Sequence, residues 1–299
     1  MESYPETLSI AAPAKINLYL RVLKRRPDGY HEIESVMQKL TLADKLTLCL
    51  QDEGIFLECS DPDLPSGEGN LVWRAAKMFQ EYVRSGLGVR ISLEKRIPVA
   101  AGLGGGSSDA AAVLVGLNLL YQSGLSEDQL AGLGVRLGAD VPFFVRSSAA
   151  ALAQGIGERL SPVTGLTSGY VLLVNPGFAV STRWVYENLA LTSGGNPYIL
   201  APDSIALTSG ISGSDSFALQ GSSTAGFVNE LEAVTITGYR VVGEIKQALQ
   251  DFGARVALMS GSGPTVFGYF LRWSEAQSAY RHFQTIYPNT VFLTEPLPA

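Results

Sequence analysis

A cluster of glycines constrains this chain more than any other feature. Four glycines stand within the five positions 102–106 of the segment PVAAGLGGGSSDAA (98–111), and an apolar stretch from Ser107 to about Tyr121 follows with the character of a helix. Backbone N–H groups can approach a polyphosphate where no side chains intervene, and a helix that starts there adds unpaired donors and a positive dipole end. The segment predicts a phosphate-binding loop. A flexible connector is the alternative, at a high entropic cost for so many glycines.

The two common phosphate-loop patterns do not fit this segment. The Walker pattern GxxxxGK[ST] requires a lysine that the segment lacks. The dinucleotide pattern GxGxxG, started at Gly102 or Gly104, meets Ser107 or Asp109 where its third glycine belongs. A different kind of phosphate loop is therefore indicated.

Composition limits the classes of protein to which the chain can belong. Its 299 residues suit one large domain or two ordinary ones, and 46% hydrophobic with 17% charged residues indicate a globular protein. A formal net charge of -6 is the wrong sign for a protein that neutralises the phosphates of a nucleic acid, so we expect no nucleic-acid partner.

The cysteine spacing, together with the lack of a signal-like pattern in the first ten residues, favours a cytoplasmic protein. The two cysteines, Cys49 and Cys59, have neither CxxC spacing nor a neighbouring histidine, which predicts neither a disulfide framework nor a zinc site. The first ten residues lack a basic region and an apolar core, and the most apolar segment, 110–121, is too short for a membrane span. We expect no membrane partner, and the sequence leaves the oligomeric state open.

The order of predicted elements indicates an α+β fold. Residues 8–50 read as strands with a turn at Asp28-Gly29, and the loop at 98–108 is preceded by a helix at 70–83 and a short strand at 89–93. From 239 onward the pattern is helix, strand, strand, helix, strand, which is typical of an antiparallel sheet covered on one side by helices. We predict a strand for the run VPFFV (141–145) and an inserted surface loop for 191–223.

Three motifs, taken together, resemble those of the GHMP kinases, which phosphorylate galactose, homoserine, mevalonate and related small alcohols. They are PAKINLYL at 13–20, the glycine-rich segment at 98–111, and SGSGPTVFG at 260–268. The segments RPDGYHEIES at 26–35 and GADVPFFV at 138–145 are similar to the branch of this superfamily that acts on a cytidyl-linked sugar alcohol in non-mevalonate isoprenoid biosynthesis. One departure is Ala100-Ala101, where relatives often carry glycines, and it predicts a stiffer start of the loop.

The resemblance implies a fold, a phosphate donor and a metal ion. The implied fold is the two-domain α+β GHMP kinase fold, with a ribosomal-protein-like β/α domain over 1–160 and a ferredoxin-like domain over 161–299. The implied donor is ATP with magnesium, for which Ser108 is a candidate oxygen ligand. The predicted ATP-binding residues form one continuous segment: Pro98, Val99, Ala100, Ala101, Gly102, Leu103, Gly104, Gly105, Gly106, Ser107 and Ser108.

Two charged residues are the candidate catalytic groups. Phosphoryl transfer to an alcohol requires a base for the hydroxyl proton and positive charge near the reacting oxygens. The resemblance makes Asp140 the base and Lys15 the cation that keeps this carboxylate ionised and orients the hydroxyl. Taken alone, Asp140 could equally cap a turn and Lys15 could be an ordinary surface lysine.

Further candidates surround the substrate and the loops. Asn17 shares a strand face with Lys15 and could bind the substrate or simply lie at a sheet edge. By resemblance, Tyr30 stacks on the cytosine and His31 hydrogen-bonds it; in isolation such a pair would be ordinary turn surface. The pair Lys95-Arg96 is predicted near the nucleotide or in solvent, and the glycine segment 261–263 approaches phosphates or braces the first loop.

Three other functions are compatible with parts of the sequence. A related kinase for another small alcohol would keep the glycine motifs without needing the DGYH segment. A regulatory protein could keep the fold without catalysis, although both Lys15 and Asp140 are present. An RNA-binding module is disfavoured by the negative charge.

Overall fold

The structure, a computed structural model, describes residues 7–192 and 226–298. The strands within these ranges are β1 Thr7–Arg25, β2 His31–Gln51, β3 Ile55–Cys59, β4 Gly88–Glu94, β5 Ala150–Gly155, β6 Arg159–Pro162, β7 Tyr170–Val174, β8 Val228–Asn229, β9 Val256–Met259, β10 Val266–Phe270 and β11 Val291–Thr294. The helices are α1 Leu71–Val83, α2 Gly105–Leu120, α3 Glu127–Val135, α4 Val141–Val145, α5 Thr182–Thr192, α6 Glu232–Gly238, α7 Arg240–Asp251 and α8 Trp273–Ile286.

The mixture of helices and strands confirms the predicted α+β class. The predicted turn is present: Gly29 has φ of 87°, and the Asp28 carboxylate accepts a hydrogen bond from the Tyr30 amide. Helix α2 begins at Gly105, two residues before the predicted start. Of the predicted surface loop, residues 193–223 lie outside the described residues, and residues 191 and 192 end α5.

The strand predicted for 141–145 is wrong, because this run forms helix α4. All five of its residues are buried, so no alternation between polar and apolar faces could reveal the period. Pro142 lies in the first turn, where its fixed φ suits a helix and its missing N–H leaves no intrahelical bond unmade. Within the stretch 8–50 that is predicted to form strands, the part after the turn is one long strand, β2.

The described residues form two compact units that interleave along the chain. The first unit holds residues 7–14, 42–99 and 104–147, and the second holds 15–41, 100–103, 148–192 and 226–298. Strands β1 and β2 each run through both units, since the divisions fall at residues 14/15 and 41/42. The domain boundary predicted at 160/161 remains a prediction.

The first unit packs helices on a short sheet. The second half of β2 pairs antiparallel with β4, which pairs in parallel with β3. Helix α1 packs on α2, and α4 packs on both α2 and α3. A side chain on Gly116 of α2 would come within 2.3 Å of Leu48 Cδ1 on β2, so glycine lets the helix lie close to the sheet.

The second unit contains the predicted antiparallel sheet. Its strand order is β11-β7-β10-β9, and every neighbouring pair is antiparallel. Helices α7 and α8 pack on this sheet, around a core that includes Phe270, Phe283 and Leu249. In the same unit the first half of β2 pairs with β5, and β1 pairs in parallel with the short β8. The register of β1 with β8 places Leu20 beside Asn229.

Candidate active site

Lys15 is a buried residue of β1 and not an ordinary surface lysine. Only 5% of its surface is exposed, and its ammonium donates to Asn17 Oδ1 at 2.7 Å. Asn17 Nδ2 donates in turn to Ser35 Oγ at 2.8 Å, and Ser35 donates to the carbonyl of Tyr19. The predicted common face of Lys15 and Asn17 is therefore confirmed, and the amide of Asn17 is oriented from both ends. The backbone amide of Lys15 also donates to the carbonyl of Leu103 in the first glycine segment.

The second glycine segment, defined as residues 260–263, lies beside these side chains. A Cβ placed on Gly261 would be 3.5 Å from both Lys15 Nζ and Asn17 Oδ1. The position is held by Asn229, whose amide nitrogen donates to the carbonyls of Met259 at 2.8 Å and Gly261 at 2.7 Å. The lysine, the Asn17 amide and this backbone thus form one polar cluster within the second unit.

The first glycine segment, residues 98–108, contacts the second through its middle. Gly102 has φ of 78°, and a Cβ on it would be 2.2 Å from the carbonyl oxygen of Ser260. Ser260 Oγ donates to the Gly102 carbonyl at 2.9 Å. The prediction that the second segment braces the first is confirmed. Ala100 also has a positive φ, 53°, a conformation that favours glycine.

The end of the first glycine segment forms the start of α2. Gly104, with φ of 72°, precedes the helix, and the next four residues, Gly105 to Ser108, form its first turn. Ser108 is buried, and its hydroxyl has no hydrogen-bond partner among the described residues. A sixteen-residue helix that begins with two glycines and two serines presents amides and hydroxyls of the kind that bind phosphate oxygens.

The described ranges offer few protein ligands for a metal ion. Within 7–192 and 226–298, no group of three or more His, Cys, Asp and Glu side chains could hold a metal ion. A hard cation bound mainly by substrate phosphates needs few protein oxygens, and the buried, unpartnered Ser108 hydroxyl is an oxygen of the required chemistry. The residues present therefore fit a magnesium ion carried by ATP.

Asp140 immediately precedes α4 in the first unit. It is partly buried and has helical φ and ψ values of -82° and -16°, but its side chain does not cap the helix. The alternative role as a capping residue is therefore not supported for α4. Lys15 belongs to the second unit, so the predicted pairing of these two residues stays a prediction.

Tyr30 and His31 lie at the turn between β1 and β2. Tyr30 is 61% exposed, whereas the His31 imidazole is partly buried and stacks on Tyr186 of α5, with ring centroids 5.0 Å apart. Burial, with a smaller contribution from Arg25, holds the pKa of His31 below its usual value. A neutral imidazole of this kind offers one donor and one acceptor to a flat polar base.

Lys95 and Arg96 do not form a solvated pair. Arg96 is exposed, but the Lys95 ammonium lies between the carboxylates of Asp44 and Asp109. Burial raises the pKa of Asp109 to about 7, although Lys95 opposes the shift. Burial acts to lower the pKa of Lys95, but the two carboxylates raise it.

Sequence reasoning missed the residues that hold the predicted ones in place. Ser35 orients Asn17, Tyr186 stacks on His31, Asn229 holds Gly261, and Asp44 contacts Lys95. These partners are distant in sequence, from 18 residues for Ser35 to 155 for Tyr186. A local motif therefore carries no signal for them.

Sequence profiles and known proteins place the chain in a family. The profile of the GHMP kinases N terminal domain matches residues 70–148, and that of the GHMP kinases C terminal matches residues 217–289. Two curated proteins named 4-diphosphocytidyl-2-C-methyl-D-erythritol kinase, from Pelobacter propionicus and from Geobacter sp. (strain M21), are each 46% identical to this chain. The first match covers 92% of this chain and 93% of the relative, and the second covers 91% and 92%.

Solved structures indicate the same family. A crystal structure of 4-(cytidine 5'-diphospho)-2C-methyl-D-erythritol kinase matches with a TM-score of 0.79 and 34% identity, over 98% of this chain and 100% of that one. Homoserine kinase from Cytophaga hutchinsonii, at 17% identity, shares the fold with a TM-score of 0.73 over 100% and 96% of the two chains. The chain therefore belongs to the GHMP kinases, and within them to the small-molecule kinases that share the name 4-diphosphocytidyl-2-C-methyl-D-erythritol kinase.

Proposed function

We propose that this enzyme transfers the γ-phosphate of ATP to the 2-hydroxyl of 4-diphosphocytidyl-2-C-methyl-D-erythritol, a step of non-mevalonate isoprenoid precursor synthesis. The observation that carries the proposal is the 46% identity, over nine tenths of the chain, to curated kinases named for this substrate. No helix in the described part of the chain is long and apolar enough to cross a bilayer. The two cysteines lack a pairing pattern, as suits a reducing compartment, and we place the reaction in the cytoplasm.

ATP would be bound by the first glycine segment. A GHMP kinase takes its phosphoryl group from ATP, and the start of α2 supplies backbone donors and a positive dipole end for the phosphates. The positive φ values at Ala100, Gly102 and Gly104 turn this backbone so that it can surround an anion. We assign the Ser108 hydroxyl as the protein oxygen that would hold a magnesium ion, which would supply positive charge to the phosphates of ATP.

Two residues carry the transfer in this proposal. Asp140 takes the proton of the attacking hydroxyl, and Lys15 keeps that carboxylate ionised and stabilises the developing alkoxide. The buried Lys15 ammonium is held at 2.7 Å by Asn17 Oδ1, so its position is fixed before substrate arrives. Transfer is direct and in line, without a phosphorylated enzyme.

The cytidyl group would be recognised at the turn between β1 and β2. The exposed ring of Tyr30 is available for stacking on a base, and the His31 imidazole offers a donor and an acceptor to the cytosine edge. Burial lowers the pKa of His31, which favours the neutral imidazole that keeps both functions. Asn17 is the residue we assign to the acceptor alcohol beside Lys15.

Release of ADP from magnesium-ATP tests the reaction. We expect turnover with 4-diphosphocytidyl-2-C-methyl-D-erythritol and none with homoserine, mevalonate or galactose. Turnover with one of the other alcohols would keep the kinase and discard the cytidyl site. Tight ATP binding without turnover on any alcohol would favour a regulatory protein instead.

Two variants test the residue roles. Asp140→Ala should abolish transfer while sparing ATP affinity, and an active variant would remove Asp140 from the role of base. Replacing Tyr30 and His31 by alanine should raise the KM for the cytidyl substrate far more than the KM for ATP. Equal effects on both constants would remove the pair from cytosine recognition.

A further inference from the structure

We infer that a buried cluster of three ionisable side chains, Asp44, Lys95 and Asp109, is a positioning device that joins the two ends of the first glycine segment and thereby sets nucleotide affinity. The inference rests on the proposed function, because it requires that this segment binds ATP. All three side chains are at most 7% exposed. The cluster lies wholly within the first unit.

The cluster hydrogen-bonds the backbone just before the first glycine segment. Asp44 Oδ1 accepts hydrogen bonds from the backbone amides of Arg96 and Ile97, the latter at 2.8 Å. Its second oxygen accepts from the Lys95 ammonium. Three donors from three successive residues therefore converge on one carboxylate of β2, which fixes the backbone at the point where the segment starts.

The same lysine reaches the far end of the segment. Lys95 Nζ donates to Asp109 Oδ2 at 2.7 Å, and Asp109 is the fifth residue of α2. A Cβ on Gly105 would lie 3.3 Å from Lys95 Nζ and 3.0 Å from Ile97 Cγ2, so the lysine side chain passes against the first turn of the helix. The amides of that turn are those assigned to the phosphates, and their spacing from residue 97 is set by this link.

Stability alone is a poor explanation for such a cluster. Removing ions from water costs more than their attraction commonly returns, and apolar replacements of buried ion pairs are often neutral or stabilising. Here one ammonium serves two carboxylates, and Asp109 Oδ1 has no hydrogen-bond partner among the described residues. What the ions provide is directional bonds to two separate pieces of backbone, which apolar side chains of equal volume would not provide.

Isothermal titration of the full-length protein with ATP, alongside steady-state kinetics, tests the inference. Asp109→Ala should raise the Kd for ATP about tenfold, because small displacements of binding groups have effects of this order. Asp109→Asn keeps an acceptor for Lys95 and should stay within about threefold of the parent. The KM for the alcohol should change less than about twofold in both variants.

A matched control and a second variant distinguish a specific loss of ATP affinity from a loss caused by misfolding. Glu58→Ala breaks the exposed ion pair with Arg90 in the same unit and should leave the ATP affinity unchanged. The double replacement of Lys95 by Met and Asp109 by Leu removes the cation together with one carboxyl group and keeps the volume filled, so it should be more stable than Lys95→Met alone while losing about tenfold in ATP affinity.

The outcomes separate this inference from the proposed function. Parental ATP affinity in the double variant, or equal losses in Asp109→Ala and Asp109→Asn, would overturn the positioning role while leaving the kinase intact. A parent protein that binds ATP but does not turn over the cytidyl substrate would overturn the proposed substrate and leave the inference standing on the binding data. A parent that binds no ATP would overturn both.

Discussion

The two glycine segments of this kinase are held by different kinds of bond. The ends of the first, 98–108, are tied by an ammonium between two carboxylates. The second, 260–263, is held by uncharged groups: Asn229 donates to the Gly261 carbonyl, and the Thr182 hydroxyl lies 2.8 Å from that of Ser262. One segment is thus fixed by charge across its ends, and the other by neutral hydrogen bonds along its length.

The two kinds of bond differ in the free energy that is lost when one partner is removed. A neutral hydrogen bond contributes about 1 kcal/mol net, and losing one leaves a carbonyl that water or a small shift can satisfy. A buried ion that loses its partner cannot be satisfied so easily, and the cost is about 3–5 kcal/mol. The first segment should therefore be the more sensitive to substitution of its supporting residues.

The largest effect is expected where the two segments touch. Gly102→Ala would place a Cβ 2.2 Å from the Ser260 carbonyl oxygen and force alanine into a φ of 78°. Clash and backbone strain add at this position and should together lower the free energy of unfolding by about 5 kcal/mol or more, measured by denaturant titration.

Gly132→Ala is the control for this clash. Gly132 lies in α3, and a Cβ placed on it would meet nothing within 4 Å, so alanine should stabilise the helix by up to about 1 kcal/mol. Parental stability of Gly102→Ala would mean that the second segment moves aside freely, and the two segments would not brace each other.

Removing one supporting residue from each segment compares them directly. Lys95→Met removes the cation that lies between the buried carboxyl groups of Asp44 and Asp109, and should cost about 3–5 kcal/mol in unfolding free energy. Asn229→Ala removes the donor to two backbone carbonyls and should cost about 2 kcal/mol. Chemical denaturation of both variants at one pH gives the comparison, and a larger loss for Asn229→Ala would reverse the order argued above.

A charge-compensated variant sharpens the same comparison. Replacing Asp109 by Leu in the Lys95→Met background removes one stranded carboxylate, and the other, Asp44, keeps its backbone donors from Arg96 and Ile97. The double variant should therefore be more stable than Lys95→Met alone. Equal stability of the single and double variants would mean that the unpaired charges are not the source of the cost.

Local patterns in the sequence predict much of this molecule, and the reason is physical. Asn70 precedes α1 and accepts from the Val72 amide, a cap that depends on neighbours in the chain. The first glycine segment is predictable because its backbone requirements are local. The run 141–145 is not, because burial on all sides removes the alternation on which a strand prediction depends.

The supporting residues are beyond the reach of sequence patterns. Asp44 is one of three acidic residues in the long strand β2, and its partner Lys95 is 51 residues away. Asn229 contacts the second glycine segment from 32 residues away, across α6 and α7. Each is an ordinary polar residue until the fold buries it beside a specific partner, and burial depends on tertiary structure.

The smallest effect concerns the start of the first segment, where two adjacent alanines differ in backbone conformation. Ala100 has φ of 53°, which costs an alanine about 1 kcal/mol, whereas Ala101 does not have a positive φ. Ala100→Gly relieves this strain and loses about 0.5–1 kcal/mol of chain entropy, so its stability should match or slightly exceed the parent's. Ala101→Gly has no strain to relieve and loses a buried methyl group, so it should be less stable by about 1 kcal/mol. Thermal unfolding of both variants measures the strain at Ala100 plus the burial of the Ala101 methyl group as their difference, because the entropic loss is common to the two. Equal losses would mean that Ala100 is unstrained, and that the stiffness of this segment comes from the ionic link at its ends rather than from its own backbone.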